Sequence, residues 1–437
     1  MTRSTTTKLI TIAALVALAA AVPAPAAAAS GSGGVSYAPN RLVVKFDGQR
    51  FGHPQALPPG VDARRAVVAL RRNERVRYAT LDHVAHASTW IPNDSGHPRH
   101  RRPVGGWVSR QWSFLPWEKG EPGVPTSPGG IDAVGAWRNL IAAGRPGAKG
   151  IRIAVLDTGV AYRSLGRRFR RSPDFSPRQF VRGHDFVGGD RLPLDHNGHG
   201  THIAATIAER TNNRLGLTGL AYKAKLIPIR VLDGRGAGLA GDIAKGIRFA
   251  AARGARVINM SFNFACGRSI RVVDEAVRFA RRKGAVLVAS VGNRGAESCV
   301  SAPATSRGVI GVGGATRGGC IGGYSLTGAD VDLLAPGGGA PPKDCAFAAI
   351  SPILQVTLKP RTTLRFGLPG IYSGTSMAAA HVSGVAAMTI ASGVLGKHPS
   401  SAKVAERLTD TARDLGLPPS QQGAGLLDAA AATDPDV

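Results

Sequence analysis

Five short apolar runs constrain this chain more than any single residue does: 151-IRIAVLD-157, 225-KLIPIRVLD-233, 255-ARVINMSF-262, 285-AVLVASVGN-293 and 309-VIGVGG-314. Each is continuous and rich in β-branched residues, so each reads as a strand covered on both faces. Between them lie stretches of helical spacing, 200-GTHIAATIAER-210, 240-AGDIAKGIRFAAARG-254 and 272-VVDEAVRFARRKG-284. Doubly covered strands alternating with helices predict an α/β fold, a three-layer parallel sheet flanked by helices. In such sheets functional groups collect where strands end at their carboxyl edge. That rule directs attention to Asp157, Asp233, Ser261 to Asn263, and Gly292–Asn293.

The N-terminal part is built differently. Arg3 and Lys8 precede an apolar run, 9-LITIAALVALAAAV-22, and small residues follow to 26-AAAAS-30. A charged start, an apolar stretch too short to span a membrane, and an A-x-A site predict a signal peptide over 1–29. The product is therefore expected to be secreted, with no membrane span. A Gly/Ser linker leads to an alternating strand, 41-RLVVKF-46, a one-faced helix in 62-DARRAVVALRRNERV-76, and a second strand in 75-RVRYATLDHVAHA-87. This strand–helix–strand block predicts a small α+β domain over 30–88, ahead of a larger domain over 89–437. The larger one opens with a basic, Gly-rich loop at 95–110.

The formal charge of +27 comes mostly from arginine, in short clusters such as 99-RHRR-102 and 167-RRFRR-171. No zinc finger, RNP-type aromatic motif or basic-region zipper accompanies them, so they read as a solvated surface and not as a specific nucleic-acid site. Four cysteines in an exported chain imply two disulfides with three connectivities open.

Four local motifs carry chemistry. In 374-GTSMAAAHVSG-384, Ser376 enters the first turn of a helix made of small residues, which must be buried on most sides. Asp157 ends the first strand in 154-AVLDTGV-160; an aspartic protease would need a second Asp-Thr/Ser-Gly, which the chain lacks. In 195-DHNGHGTHIAATIA-208, His196, His199 and His202 recur at three-residue steps, but two glycines interrupt them and no HExxH-type Glu is present. An imidazole at a helix start, placed to take a proton from a hydroxyl, is the better reading. Asn293 lies in 289-ASVGNRG-295. A nucleophilic Ser needs a base, the base needs a carboxylate, and the developing oxyanion needs donors.

In the order Asp, His, Asn, Ser, these motifs resemble the subtilisin family of serine proteases, closest to its thermitase-like branch. The segments 212-NNRLGLTGLAYKAKLIPIRVLDGRGAG-238, 257-VINMSF-262, 330-DVDLLAPGG-338 and 423-GAGLLDAAAA-432 fall in family order. The resemblance implies a secreted serine endopeptidase in which Asp157 orients His199, His199 is the base, Ser376 attacks the peptide carbonyl and Asn293 stabilises the oxyanion. It implies substrate strands at Gly236, Ala237 and Gly238 and at Ser261, Phe262 and Asn263, with Ala289, Ser290, Val291 and Gly292 lining the pocket. Protein and peptide substrates, a monomer and no catalytic cofactor follow. A structural calcium is implied on Asp94, Asn213 and the carbonyls of Thr211, Leu215 and Leu217. The 30–88 block resembles an inhibitory pro-domain, ending 82-DHVAHAS-88, and self-cleavage is expected after Ser88; the dibasic 101-RR-102 is the rival site. Cys266 just past one substrate strand and Cys299 just past Asn293 are expected to pair, leaving Cys320 with Cys345. Three positions depart from the family pattern: Ala380 replaces a usual Pro, Ala205 a usual Gly, and Asn263 a Gly, which is expected to narrow a subsite. The alternative function is a non-catalytic secreted binding protein of the same fold, adhering to anionic polymers.

Overall fold

The computed structural model describes residues 37–83 and 90–437, apart from 119, 122, 267, 268, 295–298, 346 and 348. The expected signal peptide and the expected cut after Ser88 lie outside the described residues. Two compact units divide the chain, Met1–Ser88 and Thr89–Val437.

In the first unit, β1 (Tyr37–Phe46) is the centre of an antiparallel three-stranded sheet, between β2 (His53–Ala56) and β3 (Val76–His83). Helix α1 (Ala63–Arg71) starts where the Asp62 carboxylate accepts the Arg65 N–H at 2.8 Å, an N-cap. Its Ala63, Ala66, Val67 and Leu70 recur every three to four residues and pack on Leu42, Val44 and Ala79. The helix is shorter than the stretch 62–76 suggested, and β2 was not foreseen. Its HPQA sequence has no alternating pattern, and three of its four residues are exposed.

The second unit carries the parallel sheet. In chain order its elements are α2 (Ala133–Ala142), β4 (Arg152–Asp157), β5 (His184–Asp185), α3 (His199–Ala208), β6 (Lys225–Arg230), α4 (Ala240–Ala252), β7 (Val257–Met260), α5 (Arg271–Arg282), β8 (Val286–Ser290), β9 (Val309–Ala315) and β10 (Leu333–Pro336). A short hairpin, β11 (Thr357–Leu358) with β12 (Phe366–Gly367), then leads to α6 (Thr375–Ser392). The seven strands run in the order β10-β9-β8-β7-β4-β6-β5, every neighbouring pair parallel. Successive residues of β4 face opposite layers. Ile153 and Val155 join the core that contains α2, α3 and α6 residues, while Ala154 and Leu156 join the core of α4 and α5. The strand order reverses at β4, with β6 on one side and β7 on the other. Such switch points open a crevice at the carboxyl edge, and Asp157 stands there.

The first layer is built on α6. From Thr375 to Ala391 every residue except Ser376 is buried. Its small side chains let neighbours come close: a Cβ on Gly384 would lie 2.7 Å from Leu220 Cδ1. Beside it Trp137 meets the rings of Trp90, Trp107 and Phe114 at centroid distances of 5.8, 5.7 and 6.1 Å, and its Nε1–H donates to Leu220 O at 2.9 Å. Ala380 and Ala205 are both fully buried, within unbroken helices. The edge strands β5 and β10 and the β11–β12 hairpin escaped the sequence reading because each is only two to four residues long. The disulfides are Cys266–Cys299 and Cys320–Cys345, with Cα atoms 5.6 and 6.0 Å apart, the expected pairing.

Trp137→Ala should cost about 3–5 kcal/mol through the cavity it leaves. It also leaves the Leu220 carbonyl without its buried donor. Thermal unfolding in the presence of an active-site inhibitor measures the loss; an unchanged melting temperature would contradict this account of the core.

Candidate active site

The carboxyl edge of β4 ends in Asp157, which is fully buried. Its Oδ1 accepts the Thr158 N–H at 2.7 Å and faces His199 Nδ1 at 2.8 Å. A carboxylate on Nδ1 places the ring proton there and leaves Nε2 free as a base. His199 is the first residue of α3, so the close approach of this helix to β4 sets the pair. Gly200 permits that approach, since a Cβ there would lie 2.2 Å from Gly159 O and 3.0 Å from Asp157 Cβ.

One residue that the sequence reading passed over organises this corner. Asp195 is buried, and its Oδ1 accepts from Thr158 Oγ1 at 2.9 Å, Asn197 N at 2.8 Å and Gly198 N at 2.9 Å. Its Oδ2 accepts from Thr201 N at 2.9 Å and Thr201 Oγ1 at 2.5 Å. The carboxylate thus caps the start of α3 and ties it to the residue after Asp157. An Asp shortly before a Gly and a helical run is a capping signal that a local reading can find. Burial pushes the Asp195 pKa up, although the Thr201, Gly198 and Asn197 hydrogen bonds oppose the shift.

For His199 the balance runs the other way. Burial pulls its pKa down, but the charge and hydrogen bond of Asp157 and the charge of Asp195 outweigh it, leaving the pKa above its ordinary value. The other two histidines of the run do not join this site. His202 is buried, with Nε2 at 3.0 Å from Ile353 O and its ring stacked on Tyr372 at 4.2 Å, and burial brings its pKa down to about 3. His196 packs against Phe169 at 4.9 Å.

Ser376 is the second residue of α6, behind Gly374 at the N-cap, and alone among the first residues of the helix it is partly exposed. Its Oγ donates to Ser261 O at 3.2 Å, and Ser261 Oγ donates to Ser376 O at 2.9 Å. In this rotamer the hydroxyl is turned to Ser261 and not to His199. Asn293 lies across the helix start. Its Oδ1 accepts from Thr375 N at 3.0 Å and Thr375 Oγ1 at 3.2 Å. With the amide oxygen held, the Nδ2 donor is turned to the opposite side of the group. Gly374 makes room for it at φ +149°, where an added Cβ would sit 3.2 Å from Asn293 Oδ1.

The residues expected to line the substrate are placed as follows. Gly236, Ala237 and Gly238 are exposed on a turn that Asp233 closes, Asp233 N donating to Ala237 O at 2.7 Å and Ala237 N to Asp233 Oδ1 at 3.0 Å. Asp233 is therefore a turn residue, three positions beyond the end of β6. Ala289, Ser290, Val291 and Gly292 are buried, and Gly292 N donates to Thr375 Oγ1 at 3.3 Å. Phe262 and Asn263 are partly exposed. The Asn263 amide is spoken for on both sides: Nδ2 donates to Ser290 O at 2.7 Å and Oδ1 accepts from Ser290 Oγ at 3.0 Å. It joins the 261–263 and 289–292 segments.

The residues expected to hold calcium also come together. Asp94 accepts N–H bonds from Asn212 at 2.8 Å and Asn213 at 2.9 Å, and Asn213 Oδ1 accepts Leu215 N at 2.7 Å. Thr211 Oγ1 accepts Gly219 N at 3.0 Å. Two further carboxylates, absent from the sequence reading, lie alongside. Asp174 accepts from Asn213 Nδ2 at 2.6 Å and Leu217 N at 3.3 Å. Both Glu209 oxygens are buried with no hydrogen-bond partner among the described residues. Burial pushes Asp94 up to about 6, against the Asn213 and Asn212 N–H bonds and the charge of Arg210. It raises Asp174 and Glu209 strongly; the charge of Asp94 adds to the rise of both, and that of Asp174 to the rise of Glu209. No group of three or more His, Cys, Asp or Glu among the described residues is arranged to hold a metal. Hard oxygens in a buried, negatively charged loop nevertheless fit calcium, which readily takes amide and carbonyl ligands beside carboxylates.

A carboxylate-held imidazole, a serine at a buried helix start and an anchored amide are the parts of a serine hydrolase. Residues 148–425 match the Subtilase family, and the chain belongs to it. It is 30% identical over 355 residues to the thermophilic serine proteinase of Bacillus sp. (strain AK1), a match covering 81% of this chain and 71% of that protein. To the thermitase of Thermoactinomyces vulgaris it is 35% identical over 244 residues, 56% of this chain and 76% of thermitase. A solved protease structure from Pseudoalteromonas arctica PAMC 21717 superposes with a TM-score of 0.62 at 29% identity, covering 79% of this chain and 99% of that one. The protein is a serine endopeptidase, which sets aside the non-catalytic alternative.

A base must be neutral to accept a proton, so kcat/KM should fall as pH drops through the raised pKa of His199, with a midpoint above the ordinary histidine value. Asp195→Asn removes one of the charges that raise it, and the acid limb should move to lower pH. A pH–rate profile on a peptide substrate tests both; a limb that stays in place in the variant would exclude the influence of Asp195.

Proposed function

We propose that this chain is an exported subtilase made as a self-processing zymogen, with Asp157, His199 and Ser376 as its triad and Asn293 in its oxyanion hole. The observation that carries the reading is the 2.8 Å contact between His199 Nδ1 and Asp157 Oδ1. In the mechanism, the Ser376 hydroxyl turns from Ser261 toward His199, whose Nε2 takes its proton as Oγ bonds to the carbonyl carbon. Asp157 holds the Nδ1–H and stabilises the imidazolium. The carbonyl oxygen, now an anion, is met by Asn293 Nδ2 and the Ser376 N–H at the positive end of α6. His199 then returns the proton to the leaving amine as the C–N bond breaks, and water repeats the sequence on the acyl-enzyme. No cofactor enters any step.

The finer parts of the reading are supported as follows. The segment over 1–29 has the composition of an export signal, and two disulfides suit an extracellular, oxidising setting. The block over 30–88 serves as the inhibitory pro-domain, and the mature peptidase, a monomer, begins at Thr89 after the cut. The Asn263–Ser290 hydrogen bonds join the walls of the expected P1 pocket, which favours small P1 side chains such as Ser88. A fluorophosphonate should label the mature protein at Ser376, and the label should be absent from Ser376→Ala. That variant, made in a protease-free host, should remain unprocessed, whereas the native chain should start at Thr89. A start at Pro103 would assign maturation to an external enzyme at the dibasic site.

Calcium is proposed to be held by Asp94, Asn213 and the carbonyls of Thr211, Leu215 and Leu217, with Asp174 beside them. Its charge would offset the buried carboxylates. Without it, each carboxylate with a raised folded pKa favours the protonated form. Its stabilising contribution is then present at low pH and lost as pH rises, through about 6 for Asp94. A chelator should therefore lower the melting temperature more at pH 8 than at pH 5.5. No change at pH 8 would rule the site out.

A further inference from the structure

A cavity of about 950 Å³ opens on the peptidase unit, and its lining includes Arg99, Arg101, Arg167, Arg170, Arg171 and Arg365. Among the described residues no Asp or Glu lines it, and none of these arginines is in an ion pair. A second cavity of about 590 Å³ shares Arg99 and Phe366 with it and adds Arg110 and Lys359. Guanidinium groups repel one another, so such a convergence must be held by other forces. Here the backbone holds it. Arg170 N donates to Thr363 O at 3.0 Å, Thr363 Oγ1 donates to Arg168 O, and Arg171 N donates to Ser164 Oγ at 3.1 Å. These bonds clamp the 164–171 loop to the loop between β11 and β12. Unneutralised charge of one sign around one hollow favours the approach of an anion.

Two features select the ligand. Pro173, Leu215, Leu364 and Phe366 add apolar wall, and the volume is at the large end of roughly 300–1,000 Å³ for ligand sites. Several carboxylates on a chain with apolar parts suit this hollow better than a bare ion. The segments that wall the cavity also touch the one that carries the base. Thr357 Oγ1, on β11, donates to Gly198 O at 2.6 Å, and Phe169 packs its edge on His196. His199 hands its proton to the leaving amine, which favours this flank as the leaving-group side of the cleft. We propose that the arginine cavity is an exosite for an acidic peptide segment on the C-terminal side of the scissile bond.

The inference rests on the peptidase activity, and the test separates the two. Quenched fluorescent peptides of one cleavage sequence would carry four Glu or four Gln downstream of the cut. The Glu peptide should show a kcat/KM higher by about tenfold at low salt, an advantage that fades as salt shortens the screening length. The triple variant Arg167→Gln, Arg170→Gln, Arg171→Gln should lose the advantage while cleaving the Gln peptide as before. A charge-matched control, Arg253→Gln, Arg278→Gln, Arg282→Gln, should keep it. Anisotropy of a labelled Glu peptide on mature protein blocked at Ser376 by a fluorophosphonate reads the cavity without cleavage, and the Arg167/Arg170/Arg171 variant treated in the same way should bind it more weakly. Equal rates for the two peptides, an advantage only for an upstream acidic run, or an advantage surviving in the cavity variant would overturn the proposal. So would polyphosphate binding at these arginines with no binding of the acidic peptide, which would mark a phosphopolymer site.

Discussion

Helix α6 can lie in the middle of this molecule because almost nothing on it is large or charged, and the site depends on that burial. A helix with a polar face would have to reach water, and its N-terminus would be free to shift. With every residue from Thr375 to Ala391 but Ser376 covered, the first turn is fixed against the sheet. The one hydroxyl left at the surface stands beside the ends of β7 and β8. Gly384 against Leu220 and Gly374 against Asn293 show how close the fit is. Larger side chains at either point would push the helix away from the groups it must meet.

The second constraint is electrostatic. His199 begins a helix, where the positive dipole end disfavours an imidazolium. Asp157 and Asp195 reverse that bias from two directions, one through the ring nitrogen and one through the helix cap. A pKa set by opposing influences can be tuned by either carboxylate, and only one of them touches the ring. Around Asp94, Asp174 and Glu209 the charge of Arg210 reaches Asp94 and Asp174 but does not outweigh burial, which is why the loop at 211–217 suits a hard metal ion. On the opposite sign, the arginines around the 950 Å³ cavity lack anions. The molecule thus holds two unbalanced charge clusters, one buried and acidic, one open and basic.

The local sequence determined a good deal. Continuous β-branched runs and intervening helical periods were enough for the parallel three-layer sheet, because burial on both faces leaves its mark on every residue of a strand. Asp157, His199, Asn293 and Ser376 stood out because each sits in a motif with unusual local composition, and their shared order pointed to one family. The Cys266–Cys299 pair was expected from the neighbouring segments those residues follow, and Cys320–Cys345 came by default. Tertiary structure decided the rest. Strands as short as β5 and β11 are made by their neighbours and have no period to detect. Asp174 and Glu209 are ordinary acidic residues until folding buries them beside Asp94, some 80 and 115 positions away in the chain. Asn263 was expected to narrow a subsite, and only folding showed that its amide is also bonded to Ser290. The arginine clusters at 99–102 and 167–171 read as a dispersed solvated surface, since composition records charge but not where distant charges meet. Local pattern encodes what each segment must bury, and only the packing of segments far apart in the chain settles which polar groups face one another.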